Sequence, residues 1–151
     1  MPPRYRIPRR LMVSATLDLL RGSRRCFSRD ARLCVEAVYP PLAYAGCEHI
    51  PSYPCVITVN HYSHPGFPAW WLALGVSAAI PAEVSWLVTA AWTFPGRPWA
   101  RWGEAASRKI LSRLAWMYAF SSMPPMPPRP GDVEARARSV KKVLKFIWKL
   151  K

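Results

Sequence analysis

The stretch Cys55-Val56-Ile57-Thr58-Val59-Asn60-His61-Tyr62-Ser63 decides how this sequence is interpreted. Its β-branched, apolar run is typical of a strand that is covered on both faces of a sheet. The run ends in Asn60 and His61, so the predicted strand delivers an imidazole to its carboxyl end. Ligands of open α/β sheets bind just beyond that end. A histidine there can be neutral at pH 7 and can accept a proton from an alcohol.

The composition is strongly basic and strongly apolar at once. The formal net charge is +14, and 16 of the 22 basic residues are Arg. Such a charge draws a protein to polyanions, either nucleic acid or an anionic membrane. Hydrophobic residues make up 51% of the chain and eight residues are Trp, which favours a membrane surface because Trp suits the boundary between water and lipid.

The cysteines give no sign of a metal site or a disulfide framework. Cys26, Cys34, Cys47 and Cys55 form no C-x-x-C pair, and no His follows them at zinc-finger spacing. We therefore expect four reduced thiols, no bound metal and no Gly-rich phosphate loop.

Leu11 to Leu20 are predicted to form a short amphipathic helix. Its apolar side is expected to carry Leu11, Met12, Ala15, Leu19 and Leu20. The arginines that bracket it are Arg9, Arg10, Arg21, Arg24 and Arg25. This make-up fits a helix that lies on anionic head groups. It equally fits a helix packed on its own domain with the arginines in water, and both interpretations stay open.

The rest of the chain alternates predicted strands and helices. These are a strand within Leu33–Ala45, the strand Cys55–Asn60, a helix over Ala69–Ala79, a strand over Val84–Thr93, a long helix over Trp99–Phe120, an extended polyproline connector over Met123–Pro130, and a last helix with Asp132 as its N-cap. This order favours an α/β fold. Because so few strands make an unfinished sheet, we expect the chain to be incomplete at its C-terminus.

Apolar stripes predict which sides of the last two helices are buried. The long helix carries Ala106, Ile110, Leu114 and Met117, and the last helix carries Val133, Ala137, Val140, Leu144, Ile147 and Trp148. Residues 65–95 carry one charge and are long enough to cross a bilayer. Their prolines and their two different patterns favour a buried helix followed by a buried strand.

Two local matches resemble the glycerophospholipid acyltransferase family, which includes the lysophosphatidate acyltransferases. The turn Gly46-Cys47-Glu48-His49-Ile50-Pro51 matches the family's Gly-x-Glu-x-Ile-Pro, and Asn60-His61-Tyr62-Ser63 matches its Asn-His-x-Ser at the right separation. The similarity covers roughly residues 42–150. It implies a partial acyltransferase-like sheet with helices on its faces, preceded by the amphipathic helix.

The resemblance also assigns roles to residues. It implies that His61 takes the proton from a glycerol hydroxyl, which then attacks the thioester of acyl-CoA or an acyl carrier protein. The substrate-binding residues predicted around this base are Asn60, Ser63, His64, Gly66 and Arg129. Without the resemblance, a histidine that caps backbone groups at a strand end is the simpler explanation of His61.

The chain departs from the family pattern at two points. The family continues as His-x4-Asp, but counting from His61 reaches Gly66, and no Asp or Glu lies between Glu48 and Glu83. The later Pro-Glu-Gly segment is also missing, and Arg129 is a loose candidate for the family's Arg-containing block. A backbone carbonyl, Ser63 or a carboxylate from the missing C-terminal part can hold the imidazole in place of the Asp, and His64 can assist.

These observations predict an α/β acyltransferase-like protein of phospholipid biosynthesis. We expect a basic N-terminal segment over residues 1–33 and an acyltransferase-like domain over 34–151. The expected partners are a lipid substrate and an anionic membrane surface, with no bound cofactor, no metal and no nucleic acid, at the cytoplasmic face as a peripheral protein. The alternatives are a non-catalytic lipid-binding relative and a basic nucleic-acid-binding module.

Overall fold

The computed structural model describes residues 5–51, 55–59, 67–82, 84–125 and 130–148. The described chain is mixed α/β, mostly helical, with a small two-stranded parallel sheet. Its helices and strands are α1 (Arg9–Arg21), α2 (Phe27–Glu36), α3 (Trp70–Ala79), β1 (Leu87–Thr89), α4 (Ala100–Met117), β2 (Ser121–Met123) and α5 (Val133–Trp148). Single 3-10 turns lie at Cys47–His49 and Pro130–Asp132. The chain divides into two compact units, one of Met1–Arg21 with Arg25–Val84 and one of Gly22–Arg24 with Ser85–Lys151.

The first unit is built on α1, α2 and α3. Its buried cluster consists of Leu11, Ala31, Cys34, Val38, Trp71 and Leu74. Tyr5 adds an edge-on contact with Phe67, at 4.9 Å between ring centroids, and lies 5.3 Å from the ring of Trp71. Such aromatic pairs stabilise a core beyond the area that they bury.

The predicted strand within Leu33–Ala45 is wrong at its start, because Leu33 to Glu36 belong to α2. Phe27, Ala31 and Cys34 follow helical spacing and turn toward the core. Asp30 lies in the first turn of α2, where the helix dipole favours an acidic side chain.

The second unit contains a β-α-β arrangement. β1 and β2 run parallel, with Leu87 opposite Ser121 and Thr89 opposite Met123, and α4 connects them. The ladder continues past β1, where the N–H of Ala90 donates to the carbonyl of Met123 at 2.7 Å. The predicted strand over Val84–Thr93 is therefore confirmed only over Leu87–Thr89. No strand was predicted at β2, of which only Met123 belongs to the predicted connector Met123–Pro130.

The predicted strand Cys55–Asn60 is wrong over its described part. Residues 55–59 form no strand, and the side chains of Val56 and Ile57 are 65% and 43% exposed. A β-branched run becomes a buried strand only when a neighbouring strand satisfies its backbone. The described residues provide no such neighbour, since the sheet there holds β1 and β2 alone.

The four predicted helices are confirmed, and their predicted bounds agree within two residues except that α4 ends at Met117 and not at Phe120. The predicted buried face is half right for α4 and wrong for α5. In α4, Met117 is buried and Leu114 half-buried as predicted, but Ala106 and Ile110 are exposed and Ser107 is buried. In α5, the stripe Val133, Ala137, Val140 and Leu144 is exposed. The buried residues of α4 are Ser107, Ala115 and Met117, so its packed side includes a polar residue that an apolar pattern does not reveal.

No helix in the described part of the chain is long and apolar enough to cross a membrane. Residues 65–95 contain α3, of 10 residues, and the short strand β1 in place of a single long element.

Candidate functional site

The predicted catalytic and substrate-binding residues all lie outside the described residues. His61, Asn60, Ser63, His64 and Gly66 belong to the segment 60–66, and Arg129 belongs to the segment 126–129. Their roles stay predictions, and the site below is built from the described residues alone.

The Gly-x-Glu-x-Ile-Pro motif, Gly46–Pro51, lies among the described residues and forms the predicted turn. Gly46 has φ +81°, a left-handed conformation that a residue with a Cβ adopts only with strain. The N–H of His49 donates to the carbonyl of Gly46 at 3.0 Å, which closes the single 3-10 turn. Glu48 and His49 both point into solvent and lie 3.4 Å apart. An exposed pair of this kind contributes little to stability.

Phe67 and Trp71 anchor the chain just after the segment that holds His61. Phe67 packs against Tyr5, and Trp71 is only 2% exposed. Trp70 stacks on Trp71 at 5.0 Å and remains partly exposed. Tyr5, Phe67, Trp70 and Trp71 thus form one aromatic cluster in the first unit.

The most distinctive described surface lies on α1. Met12, Val13, Leu17 and Leu20 are between 43% and 66% exposed. Their spacing places them on one side of the helix, whereas Leu11 lies on the other side and is buried. An amphipathic helix inside a domain turns its apolar side inward, so α1 departs from that arrangement.

Cations accompany this apolar side. Arg9 and Arg10 lie in the first turn of α1 and Arg21 in its last turn, and all three are exposed. We call this set of seven residues the α1 surface: Met12, Val13, Leu17, Leu20, Arg9, Arg10 and Arg21. It combines apolar side chains with positive charge.

The one acidic residue of α1 is turned away from this surface. Asp18 accepts a hydrogen bond from Nη1 of Arg25 on the inner side of the helix. Arg25 also donates to Asp30 in α2, from Nε at 2.7 Å and from Nη2 at 2.9 Å. The side chains of Arg25 and Asp30 are only 14% and 8% exposed. This network joins α1 to α2 and keeps a carboxylate off the α1 surface.

The second unit contains a cleft of about 500 Å³ at the carboxyl ends of β1 and β2. Its charged lining residues are Glu104, Arg108, Asp132 and Arg138, and Ser122 and Ser139 add hydroxyls. Arg108 donates to Glu104 at 2.8 Å. Two guanidinium groups and two carboxylates balance each other, so the cleft suits a small polar ligand that both donates and accepts hydrogen bonds.

Sequence reasoning missed both features for identifiable reasons. It placed Leu11, Met12, Ala15, Leu19 and Leu20 on one side of α1. The structure turns Leu11 inward and Met12 and Leu20 outward. The cleft depends on β2, whose three residues Ser121–Met123 carry no strand pattern. Ligands of α/β sheets bind at the carboxyl ends of parallel strands. The sequence indicated only β1 of this pair, so it could not indicate the cleft.

Comparisons with protein-family models, with curated proteins and with solved structures find no match for this chain. Among the described residues, no group of three or more His, Cys, Asp or Glu is placed to hold a metal ion. The features that bear on function are therefore the α1 surface, the cleft and the sequence motifs.

Proposed function

We propose that this protein works at the surface of an anionic membrane, on which the α1 surface docks. The observation that carries the proposal is the exposure of Met12, Val13, Leu17 and Leu20 beside three exposed arginines. Apolar side chains of such a helix enter the boundary between head groups and acyl chains, while arginines reach the phosphates. Each cation near an anionic leaflet contributes about 1 kcal/mol.

The proposed chemistry at that surface is acyl transfer to a lysophospholipid or a related glycerol-phosphate acceptor. His61 takes the proton of the acceptor hydroxyl, whose oxygen attacks the thioester carbonyl. The C–S bond then breaks, and the proton returns from the imidazolium to the departing thiolate of coenzyme A or of the carrier protein. The support for this step is the pair of sequence motifs, Gly46–Pro51 and Asn60–Ser63.

A second candidate function is a lipid-binding relative without catalysis. It is favoured by Gly66, which stands where the resembled family has the Asp that orients the base. General base catalysis contributes about 10²–10⁴-fold, and it depends on the correct tautomer and orientation of the imidazole. Both candidates share the docking step and differ in turnover.

Vesicle flotation tests the docking step. We expect the wild-type protein to float with vesicles that contain phosphatidylglycerol and to stay unbound with phosphatidylcholine alone. Leu17→Gln/Leu20→Gln weakens binding on the order of tenfold, because two apolar contacts are lost. The matched control is Leu33→Gln, at an exposed apolar position of α2. Wild-type binding by the Leu17→Gln/Leu20→Gln variant would reject the α1 surface as the docking site.

Transfer of a radiolabelled acyl chain from a thioester to lysophosphatidate tests the chemistry. The acyltransferase proposal expects turnover by the wild type and its loss in His61→Ala, with vesicle binding unchanged. Vesicle binding without turnover in the wild type favours the non-catalytic relative. Binding to RNA with a steep salt dependence, and none to vesicles, contradicts both.

A further inference from the structure

The outward side of α4 carries a second surface that the proposed function does not use. We call it the α4 surface and define it by Trp102, Ala106, Lys109, Ile110, Arg113 and Trp116. Trp102 is 82% exposed, the highest value among the large hydrophobic residues described. Helical spacing places the six residues on one side of α4.

The charge of the α4 surface has one sign within the described residues. Lys109 and Arg113 are exposed on it. The acid of α4, Glu104, is mostly buried on the opposite side, where it accepts a hydrogen bond from Arg108. The α4 surface is therefore complementary to a negatively charged partner.

Arg24 adds a further cation at the end of this surface. Its guanidinium lies over the ring of Trp116, 4.1 Å from the centroid, and it donates a hydrogen bond to the carbonyl of the same residue. The carbonyls at a helix C-terminus carry a partial negative charge, so a cation is stabilised there. The contact orients the exposed indole and keeps a positive charge beside it.

We infer that the α4 surface is a second contact site for an anionic phospholipid bilayer. Tryptophan has an apolar body and an N–H donor, and it is enriched where lipid meets water. Ala106 and Ile110 fill the space between the two indoles with apolar side chains, as an interfacial helix requires. A single-stranded nucleic acid needs aromatic rings at nucleotide spacing, whereas Trp102 and Trp116 are separated by roughly four turns of helix. Lipid is therefore the better match.

This surface belongs to the second unit and does not depend on docking by α1. Its test uses the full chain and vesicles of phosphatidylglycerol with phosphatidylcholine. Lys109→Gln/Arg113→Gln is expected to weaken binding on the order of tenfold and to reduce its salt dependence. The matched control, Lys141→Gln/Lys145→Gln, removes the same charge from exposed positions of α5 and is expected to have a much smaller effect.

Fluorescence quenching by brominated lipids gives a second readout that does not depend on affinity. Bound wild-type protein is expected to show strong quenching, and Trp102→Phe is expected to lose a clear part of it. Equal weakening by the α5 control, or unchanged quenching in Trp102→Phe, would overturn the inference. The inference also fails if Lys109→Gln/Arg113→Gln impairs RNA binding and leaves vesicle binding intact. The α1 proposal fails on a different result, namely wild-type vesicle binding by Leu17→Gln/Leu20→Gln, so the two failures can be distinguished.

Discussion

The hydroxyl of Ser107 accepts a hydrogen bond from the backbone N–H of Trp92 at 3.0 Å and donates to the carbonyl of Glu104 at 2.9 Å. Ser107 is buried in α4, and Trp92 lies in the segment that leaves β1. One side chain thus fixes which side of α4 faces the sheet.

Ser107→Ala is expected to lower the free energy of unfolding by about 1–3 kcal/mol, because the N–H of Trp92 loses its acceptor. The matched control is Ser112→Ala in the same helix, where an exposed hydroxyl donates to the carbonyl of Lys109 at 3.1 Å. The control is expected to change stability by less than about 0.5 kcal/mol. Urea unfolding measures both variants, and equal effects would contradict the role given to Ser107.

Ala119→Gly is expected to stabilise the protein. Ala119 has φ +55° just past the end of α4, and the N–H of Phe120 donates to the carbonyl of Ala115 at 2.8 Å. This is the Schellman ending of a helix, whose left-handed residue is usually glycine. Removing the Cβ is expected to raise the melting temperature, with a gain of about 1 kcal/mol.

The control for this variant is Ala105→Gly, at an exposed position inside α4. It is expected to lose about 1 kcal/mol, because glycine is unfavourable in a helix interior. If both substitutions lower the melting temperature, the left-handed ending is not a source of strain in solution.

Arg25→Met is expected to destabilise the first unit by about 3 kcal/mol, because it leaves the nearly buried carboxylate of Asp30 without its guanidinium partner. Arg29→Met, at an exposed position of α2, removes the same charge and serves as the control, with a change below about 0.5 kcal/mol. Chemical unfolding followed by circular dichroism compares the two. A similar loss in both variants would show that net charge, not the network, sets the effect.

Burial, with a smaller contribution from the charge of Asp30, raises the pKa of the Cys34 thiol from 9.0 to about 11. A thiol reagent applied near neutral pH is therefore expected to label the exposed Cys26, Cys47 and Cys55 first. Cys34 is expected to react only after unfolding by guanidinium chloride. Rapid labelling of Cys34 in the folded protein would contradict its position in the core.

The same pKa shift makes stability depend on pH in the alkaline range. The unfolded thiol loses its proton at lower pH than the folded one, so unfolding becomes easier as pH rises. The stability linked to Cys34 is complete below about pH 9 and is lost by about pH 11. Cys34→Ala is expected to show a shallower decline of stability over this window than the wild type.

Long periodic segments made most of the helices predictable. α1, α4 and α5 repeat apolar residues at helical spacing over more than ten residues, whereas α3 is apolar almost throughout. α2 was missed even though Phe27, Ala31 and Cys34 carry the same spacing. The strands were harder to predict, because a strand forms only with a pairing partner. The β-branched run 55–59 forms no strand, whereas Ser121–Met123, which begins with two serines, pairs with β1.

Which side of a helix packs could not be predicted from composition alone. α1 and α4 are apolar on more than one side, and the buried side is chosen by the networks of Arg25 and Ser107. Those contacts join residues from different elements, and a pattern within one helix does not contain them. The roles of His61 and Arg129 lie outside the described residues and stay predictions.

Because Arg25 pairs with the carboxylate of Asp18 on the inner side of α1, the charged groups of the α1 surface are all positive. The field of such groups acts over about 8 Å at physiological salt, before any side chain touches lipid. Association with a bilayer and dissociation from it would then depend on different side chains. In the proposed docking, we expect the arginines to set the association rate and the apolar side chains to set how long the protein stays.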